Sequence, residues 1–169
     1  MQQKWEDSNL SVSVAMAVFN GEKYIKEQID SIIPQLKEND EIVISYDESQ
    51  DNTYNIISDY AKKDFRIKIF DGPNKGAIYN FENAILNCTK EYIFLCDQDD
   101  VWEPDKVDMV INEFSRTNVD LILHDALIVD NNLKEIGPSF FNKRKCKKGI
   151  LIILLKIPTS VVVWLLIVV

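Results

Sequence analysis

The sequence predicts an α/β protein built on a mostly parallel sheet with helices on both faces. Short apolar runs alternate with longer segments whose apolar residues recur at helical spacing, the pattern of βαβ units. Each of the first four runs is also followed by turn-forming or acidic residues, at Asn20-Gly21, 47–52, 71–76 and 97–100. Open α/β sheets bind their ligands at the C-terminal ends of the strands, so polar residues gathered there point to a site.

The elements follow in order. Residues 10–19 read as a mostly apolar strand, closed by the turn signal Asn20-Gly21. Tyr24, Ile25, Ile29, Ile32, Ile33 and Leu36 mark a helix that Pro34 ends or kinks. Residues 41–46 are the second strand, and Asp51 in the polar loop behind it can cap the next helix. Ile56, Ile57, Tyr60 and Ala61 form that helix's inner face. Residues 67–70 are the third strand, and Ile78, Phe81, Ala84 and Ile85 the next helix face. Residues 92–96 are the fourth strand. Pro104 suits the first turn of the following helix, with Val107, Val110, Ile111 and Phe114 inward. Residues 121–123 read as a fifth strand, and 126–129 with 133–136 as a hairpin around Asn131-Asn132.

A chain of 169 residues is one domain or most of one. Residues 10–140 read as the folded unit, with a basic linker and apolar tail over 141–169. At 46% apolar and 27% charged the chain is globular, and its net charge of −8 argues against a nucleic-acid partner. Cys88, Cys96 and Cys146 have no zinc spacing and cannot all pair within one chain, so reduced thiols in a cytoplasmic setting fit best. The first twenty residues lack a signal-peptide layout.

Asp97-Gln98-Asp99-Asp100, directly after the fourth strand, is the most informative stretch. Packed carboxylates repel unless a positive charge joins them. A hard cation such as Mg²⁺ commonly shares one or two carboxylates with substrate phosphates. The stretch therefore suggests a metal-assisted site for a phosphorylated substrate; the plainer reading is a solvated acidic loop capping a helix. Lys75 could reach a phosphate and Gly76 permits close backbone approach, although Asn74-Lys75-Gly76 also reads as an ordinary turn.

In this order the blocks resemble family 2 glycosyltransferases of the GT-A fold, which move a sugar from a nucleotide-sugar to an acceptor. The likeness is carried by 12–21, by 41–53, by Asn74-Lys75-Gly76 with Asn80, and by Asp97-Gln98-Asp99-Asp100 with Pro104, over about residues 10–140. The resemblance implies that Val18 and Phe19 line the base pocket and that Asp47 hydrogen-bonds the base. It implies that Lys75, Gly76, Asn80 and Asp97 face the nucleotide-sugar, and that Asp97 and Asp99 hold Mg²⁺ or Mn²⁺. It further implies inversion at the sugar and a cell-surface polysaccharide or lipid-linked acceptor. The family's acidic turn usually reads Asp-Asp-Gly-Ser. Here Tyr46 replaces one Asp, and Glu48 replaces a Gly that often has φ > 0, so strain at Glu48 and weaker base binding are expected. No counterpart of the family's general base follows residue 130. His124-Asp125 is the nearest polar pair, expected near the donor sugar rather than as the base. The chain as written is therefore expected to bind donor with little or no transfer.

The run 149–169 is apolar except for Lys156 and follows the basic cluster Lys143-Arg144-Lys145-Cys146-Lys147-Lys148. Three readings stay open. It is a membrane segment that would hold the chain at the cytoplasmic face, or two buried strands, or an out-of-frame ending where the family pattern stops near Lys148. Two other functions also stay open. One is an inactive or degenerate nucleotide-sugar-binding fragment. The other is a phosphatase of the haloacid-dehalogenase type, whose Asp-x-Asp-x-Val run Asp97–Val101 would match with Asp97 as nucleophile.

Overall fold

A computed structural model of the chain describes residues 10–117, 119–143 and 161–162. Its centre is β1 (Val12–Val18), in which every residue is buried. A strand buried on both faces must be covered twice and paired on both edges. β2 (Glu41–Tyr46) pairs with one edge and β4 (Tyr92–Asp97) with the other, both parallel. β3 (Ile67–Asp71) extends the sheet beyond β2, and a two-residue strand β5 (Val161–Val162) pairs with Ile93 and Phe94 of β4. The order is β3-β2-β1-β4-β5.

The helices are α1 (Ile25–Ile32), α2 (Thr53–Lys63), α3 (Ala77–Leu86), α4 (Lys106–Thr117) and the short α5 (Phe140–Lys143). Strand alternation shows which face each covers. Gln28 of α1 donates to Cys96, and Trp102, just before α4, packs on Phe94 with ring centroids 5.7 Å apart. Both partners project from the same face of β4. Asn83 of α3 donates to Ser45, which pairs in register with Ala17 on the opposite face. The chain thus winds one way through β1, β2 and β3, and α3 carries it back across β1 to β4. Right-handed crossovers running in opposite directions must lie on opposite faces. The reversal leaves a crevice between the C-terminal ends of β1 and β4, where such sheets take ligands.

The first four strands and helices thus match the sequence reading, with several corrections. Pro34 does end the first helix: residues Ile33–Gln35 form a single 3₁₀ turn. Ile78, expected on the inner face of α3, is 83% exposed, and Asn80 takes the inward position with Ala84. The helical stripe there is partly polar because it borders the crevice. Residues 121–123 form no strand, and the position beside β4 goes to β5. The expected hairpin forms in short form, with an antiparallel bridge between Val129 and Glu135 flanked by Ile136 N donating to Ile128 O at 3.0 Å and Asp130 N to Lys134 O at 2.9 Å. No helix among the described residues is long and apolar enough to cross a membrane. Apart from the backbone of β5, the basic cluster beyond Lys143 and the apolar run lie outside the described residues, so their membrane reading does too.

At the far edge of the sheet, Glu41 is 1% exposed and accepts from Ser13 Oγ at 2.6 Å, Lys68 Nζ at 2.6 Å and Thr89 N at 2.7 Å. These bonds tie β1, β2, β3 and the start of β4 together, away from the crevice. Glu41→Ala should destabilise the fold by about 1–3 kcal/mol, the cost of stranding buried donors, and Glu41→Gln by less. Urea unfolding of both variants checks this; equal midpoints for wild type and Glu41→Ala would rule out the tie.

Candidate functional site

A cavity of about 600 Å³ opens at the crevice, lined by residues that include Ala17, Phe19, Asp47, Glu48, Asn80, Phe81, Asp97, Gln98 and Asp99. Every strand end flagged in the sequence contributes to its walls or to their support. Among the described residues, four of the lining side chains are carboxylates and none is a Lys or Arg.

The β1 and β2 ends form one wall. Asp47 N donates to Val18 O at 2.9 Å, extending the ladder past both strands. The two following turns interlock: Asn20 N donates to Ser49 Oγ at 2.9 Å, Gln50 N to Asn20 Oδ1 at 2.9 Å, and Gly21 N to Thr53 Oγ1 at 2.7 Å. Asn20 adopts φ 48°, in the left-handed region that Asn tolerates. Asp51 accepts from Glu22 N at 3.1 Å and from Thr53 N at 3.1 Å, so it caps α2 from just outside the helix, as expected.

The strain expected at Glu48 is absent: the described non-Gly residues with positive φ are Asn20, Asn74 and Leu133. Asn74 across the loop adopts φ 54°, and its Oδ1 accepts from Glu48 N at 2.7 Å. Tyr46 also takes a part that the sequence did not suggest. Its hydroxyl accepts from Ser49 N at 3.0 Å and so closes the turn from the side.

Asp47 is 4% exposed and its Oδ1 accepts from Asn74 N at 2.8 Å. Gly72 lies against this carboxylate: a Cβ there would collide with Asp47 Oδ1 and would meet Asn80 Oδ1 at 2.8 Å. Only glycine allows the loop after β3 to close on Asp47 this tightly. Asn80, 2% exposed, donates from Nδ2 to Val18 O at 3.2 Å, while its buried Oδ1 accepts no hydrogen bond. Two of the roles expected from the sequence change here. Val18 is fully buried in the core and serves through its carbonyl, while Ala17 lines the cavity instead. Lys75 is exposed and outside the lining, although Asn74 and Gly76 on either side of it belong to the wall. Alternation of side chains along a strand explains the first change, and outward turning at the tip of the loop the second.

The opposite wall is the end of β4. Burial first, and then Asp99 beside it, push the Asp97 carboxyl up to about 6. Burial pushes Asp100 up to about 8, with Asp97 and Asp99 adding to the effect. Below this loop Lys106 Nζ sits 4.0 Å from the centre of the Trp102 ring, and burial brings its ammonium down to about 7 against the pull of Cys96 and Asp100. Trp102 and Lys106 went unnoticed in the sequence because a Trp and a Lys near a helix start have no distinctive spacing. Two carboxylates on one rim, completed by substrate phosphates, are a set that Mg²⁺ commonly takes. Among the described residues no three His, Cys, Asp or Glu side chains are grouped to hold an ion by themselves.

His124 and Asp125 do not line the cavity. Asp125 Oδ1 accepts from Ala126 N at 2.9 Å and Phe141 N at 2.7 Å, so its carboxylate secures the start of α5. Burial brings His124 down to about 4.

The Asp97 shift has a measurable consequence. Its proton is held up to about pH 6 in the fold, whereas an unfolded Asp releases it near 4. This contribution to stability is full below pH 4 and is lost as pH rises through 6. Asp97→Asn should therefore raise the melting temperature at pH 7, with a smaller gain at pH 4. Equal gains at both pH values would contradict the assignment.

A family model described as glycosyl transferase family 2 matches residues 13–165. The match runs beyond Lys148, where one of the three open readings of the tail has the family pattern stop. An uncharacterized glycosyltransferase of Nostoc sp. is 30% identical over 75% of this chain and 40% of its own length. The Escherichia coli enzyme WfgD, a UDP-Glc:alpha-D-GlcNAc-diphosphoundecaprenol beta-1,3-glucosyltransferase, is 30% identical over 72% of this chain and 47% of its own. The chain thus spans less than half the length of these relatives. The crystal structure of S. aureus TarS 1-349 superimposes with a TM-score of 0.63 at 22% identity, covering 78% of this chain and 40% of TarS. That likeness shows a shared GT-A fold. The order of blocks along the chain, the crevice they build and the extent of the family match agree, and the chain belongs to glycosyl transferase family 2.

Proposed function

We propose that this chain is the donor-binding part of a glycosyltransferase that takes its sugar from a nucleoside diphosphate, with residues 10–140 as the binding unit. The observation that carries this is the cavity itself: among the described residues it is lined by four carboxylates and no cation, with an aromatic at the mouth. Such a lining repels a diphosphate unless a divalent cation comes with it. Asp97 and Asp99 are the residues to hold Mg²⁺ or Mn²⁺, and the bound ion would neutralise the charge that develops on the leaving diphosphate.

The chain's own residues supply the rest. Phe19, 53% exposed at the mouth, offers a flat apolar surface to the base. Asp47, held by Asn74 N, presents a carboxylate that accepts from a base N–H. Gly76, with φ 92° and open space around it, lets the backbone approach a phosphate closely. A uracil base is favoured by similarity: TarS has been crystallised with UDP-GlcNAc, and the name of WfgD gives a UDP-sugar donor and a lipid-diphosphate acceptor. A saccharide or lipid-linked acceptor, inversion at the sugar and a cytoplasmic setting complete the reading. Family membership displaces the phosphatase alternative. Asp97 is then a ligand at a strand end rather than a nucleophile.

With UDP and Mn²⁺, Asp99→Ala should abolish metal-dependent binding and Asp97→Ala should weaken it less. Calorimetry with and without the metal checks this, and unchanged affinity in Asp99→Ala would sink the metal assignment. Asp47→Ala should cost about 1.5–3 kcal/mol in UDP affinity, the scale of a hydrogen bond to a charged group. If wild type and variant bind UDP equally, Asp47 does not read the base.

A further inference from the structure

Gln98 lies between the two aspartates of the acidic loop, and its side chain turns away from them. Gln98 Oε1 accepts from Phe19 N at 2.9 Å, and Gln98 Nε2 donates to Phe19 O at 2.7 Å. One side-chain amide thus satisfies both main-chain groups of a single residue across the crevice. The β1–β4 ladder stops at the pair Ala17 and Asp97, where β4 turns away. The N–H and C=O of a strand residue that face one neighbour need a partner beyond that point. A primary amide carries an acceptor and donors side by side and can replace the missing strand.

The fit is tight. Gly21 is buried beside this amide, and a Cβ on Gly21 would collide with Gln98 Oε1 and meet Cδ at 2.9 Å. The atoms in the way belong to the Gln98 side chain, not to backbone. A side chain at position 21 would therefore expel the amide and leave the chain path intact.

We propose that Gln98 is a positioning residue: its amide clamps the acidic loop to Phe19 and so sets the spacing between the base end and the metal end of the donor site. The inference rests on the donor-site reading above. The base wall is held independently of the clamp, through Asp47 N on Val18 O and through the bonds of Asn20 with Ser49 and Gln50. Among the described residues, the acidic loop past Asp97, where the β1–β4 ladder ends, reaches that wall through the Gln98 side chain. Losing the clamp frees Asp99 relative to the base, while Asp97 stays opposite Ala17 in the ladder, and a nucleoside diphosphate that must reach both ends feels the change. A nucleoside alone, which needs only the base wall, does not.

The test compares wild type, Gln98→Leu, Gly21→Ala and the double variant, titrated with UDP plus Mn²⁺ and with uridine without metal. Each single variant should lose about tenfold in UDP affinity, the scale of two exposed neutral hydrogen bonds, while uridine affinity stays within about twofold. The double variant should be no worse than either single, because both changes remove the same contact. The clamp is refuted if the singles bind UDP like wild type, if their losses add, or if uridine affinity falls in parallel with UDP. A lowered melting temperature with unchanged UDP affinity would also refute it, leaving a structural bond only. Wild type showing no Mn²⁺-dependent UDP affinity would instead overturn the donor-site reading, and the clamp with it. Gly21→Ala keeps the polar amide and provides the reading should Gln98→Leu fold poorly.

Discussion

β1 is buried along its whole length, and the architecture follows from that burden. A strand with no exposed side needs a neighbour on each edge and helices on both faces. The chain meets the need by winding outward through β2 and β3, then returning by α3 to β4 on the other edge. That return is what opens the crevice. If β4 had followed β3 at the sheet edge, the acidic loop and the end of β1 would not be neighbours. The site is thus a by-product of how the most buried strand is covered.

The crevice then has to tolerate its own electrostatics. Asp97, Asp99 and Asp100 follow one another at the end of β4, and two of them have raised pKa values through burial and mutual repulsion. Lys106 beneath the loop offsets part of this, seated on the Trp102 ring and itself reluctant to hold its proton. On the opposite wall Asp47 is kept in place by Asn74 N, with no cation among the described cavity residues. Evolution of such a surface for stability alone would remove some of these charges, because like charges in a shared pocket cost free energy. Their presence together fits a site whose missing positive charge arrives with the ligand.

Departures from the family's usual turn show how neighbours absorb substitution. Tyr46 stands where an Asp is common, and its hydroxyl closes the turn on Ser49 N. Glu48 stands where a glycine is common, yet it is not among the described residues with positive φ, and its N–H is held by Asn74 across the loop. A local rule applied at Glu48 alone overstates the strain, since the bond from Glu48 N to Asn74 Oδ1 joins segments that are 26 residues apart.

The sequence by itself determined the alternation of strands and helices, because burial imposes a period of two or 3.6 on whichever residues are apolar. Val107, Val110, Ile111 and Phe114 were legible as an inner face on that ground, and all are buried. It also located the edge where the cavity opens, since Asn20, Asp47, Gly76 and Asp99 each follow a recognisable strand. Tertiary structure alone decided the strand order, the pairing of β5 in place of residues 121–123, and the inward turn of Asn80 in place of Ile78. It also decided that Gln98 reaches back to Phe19 and that Gly21 and Gly72 make room for their neighbours. These contacts join residues far apart in the chain, and their geometry exists only after α3 has brought β4 alongside β1.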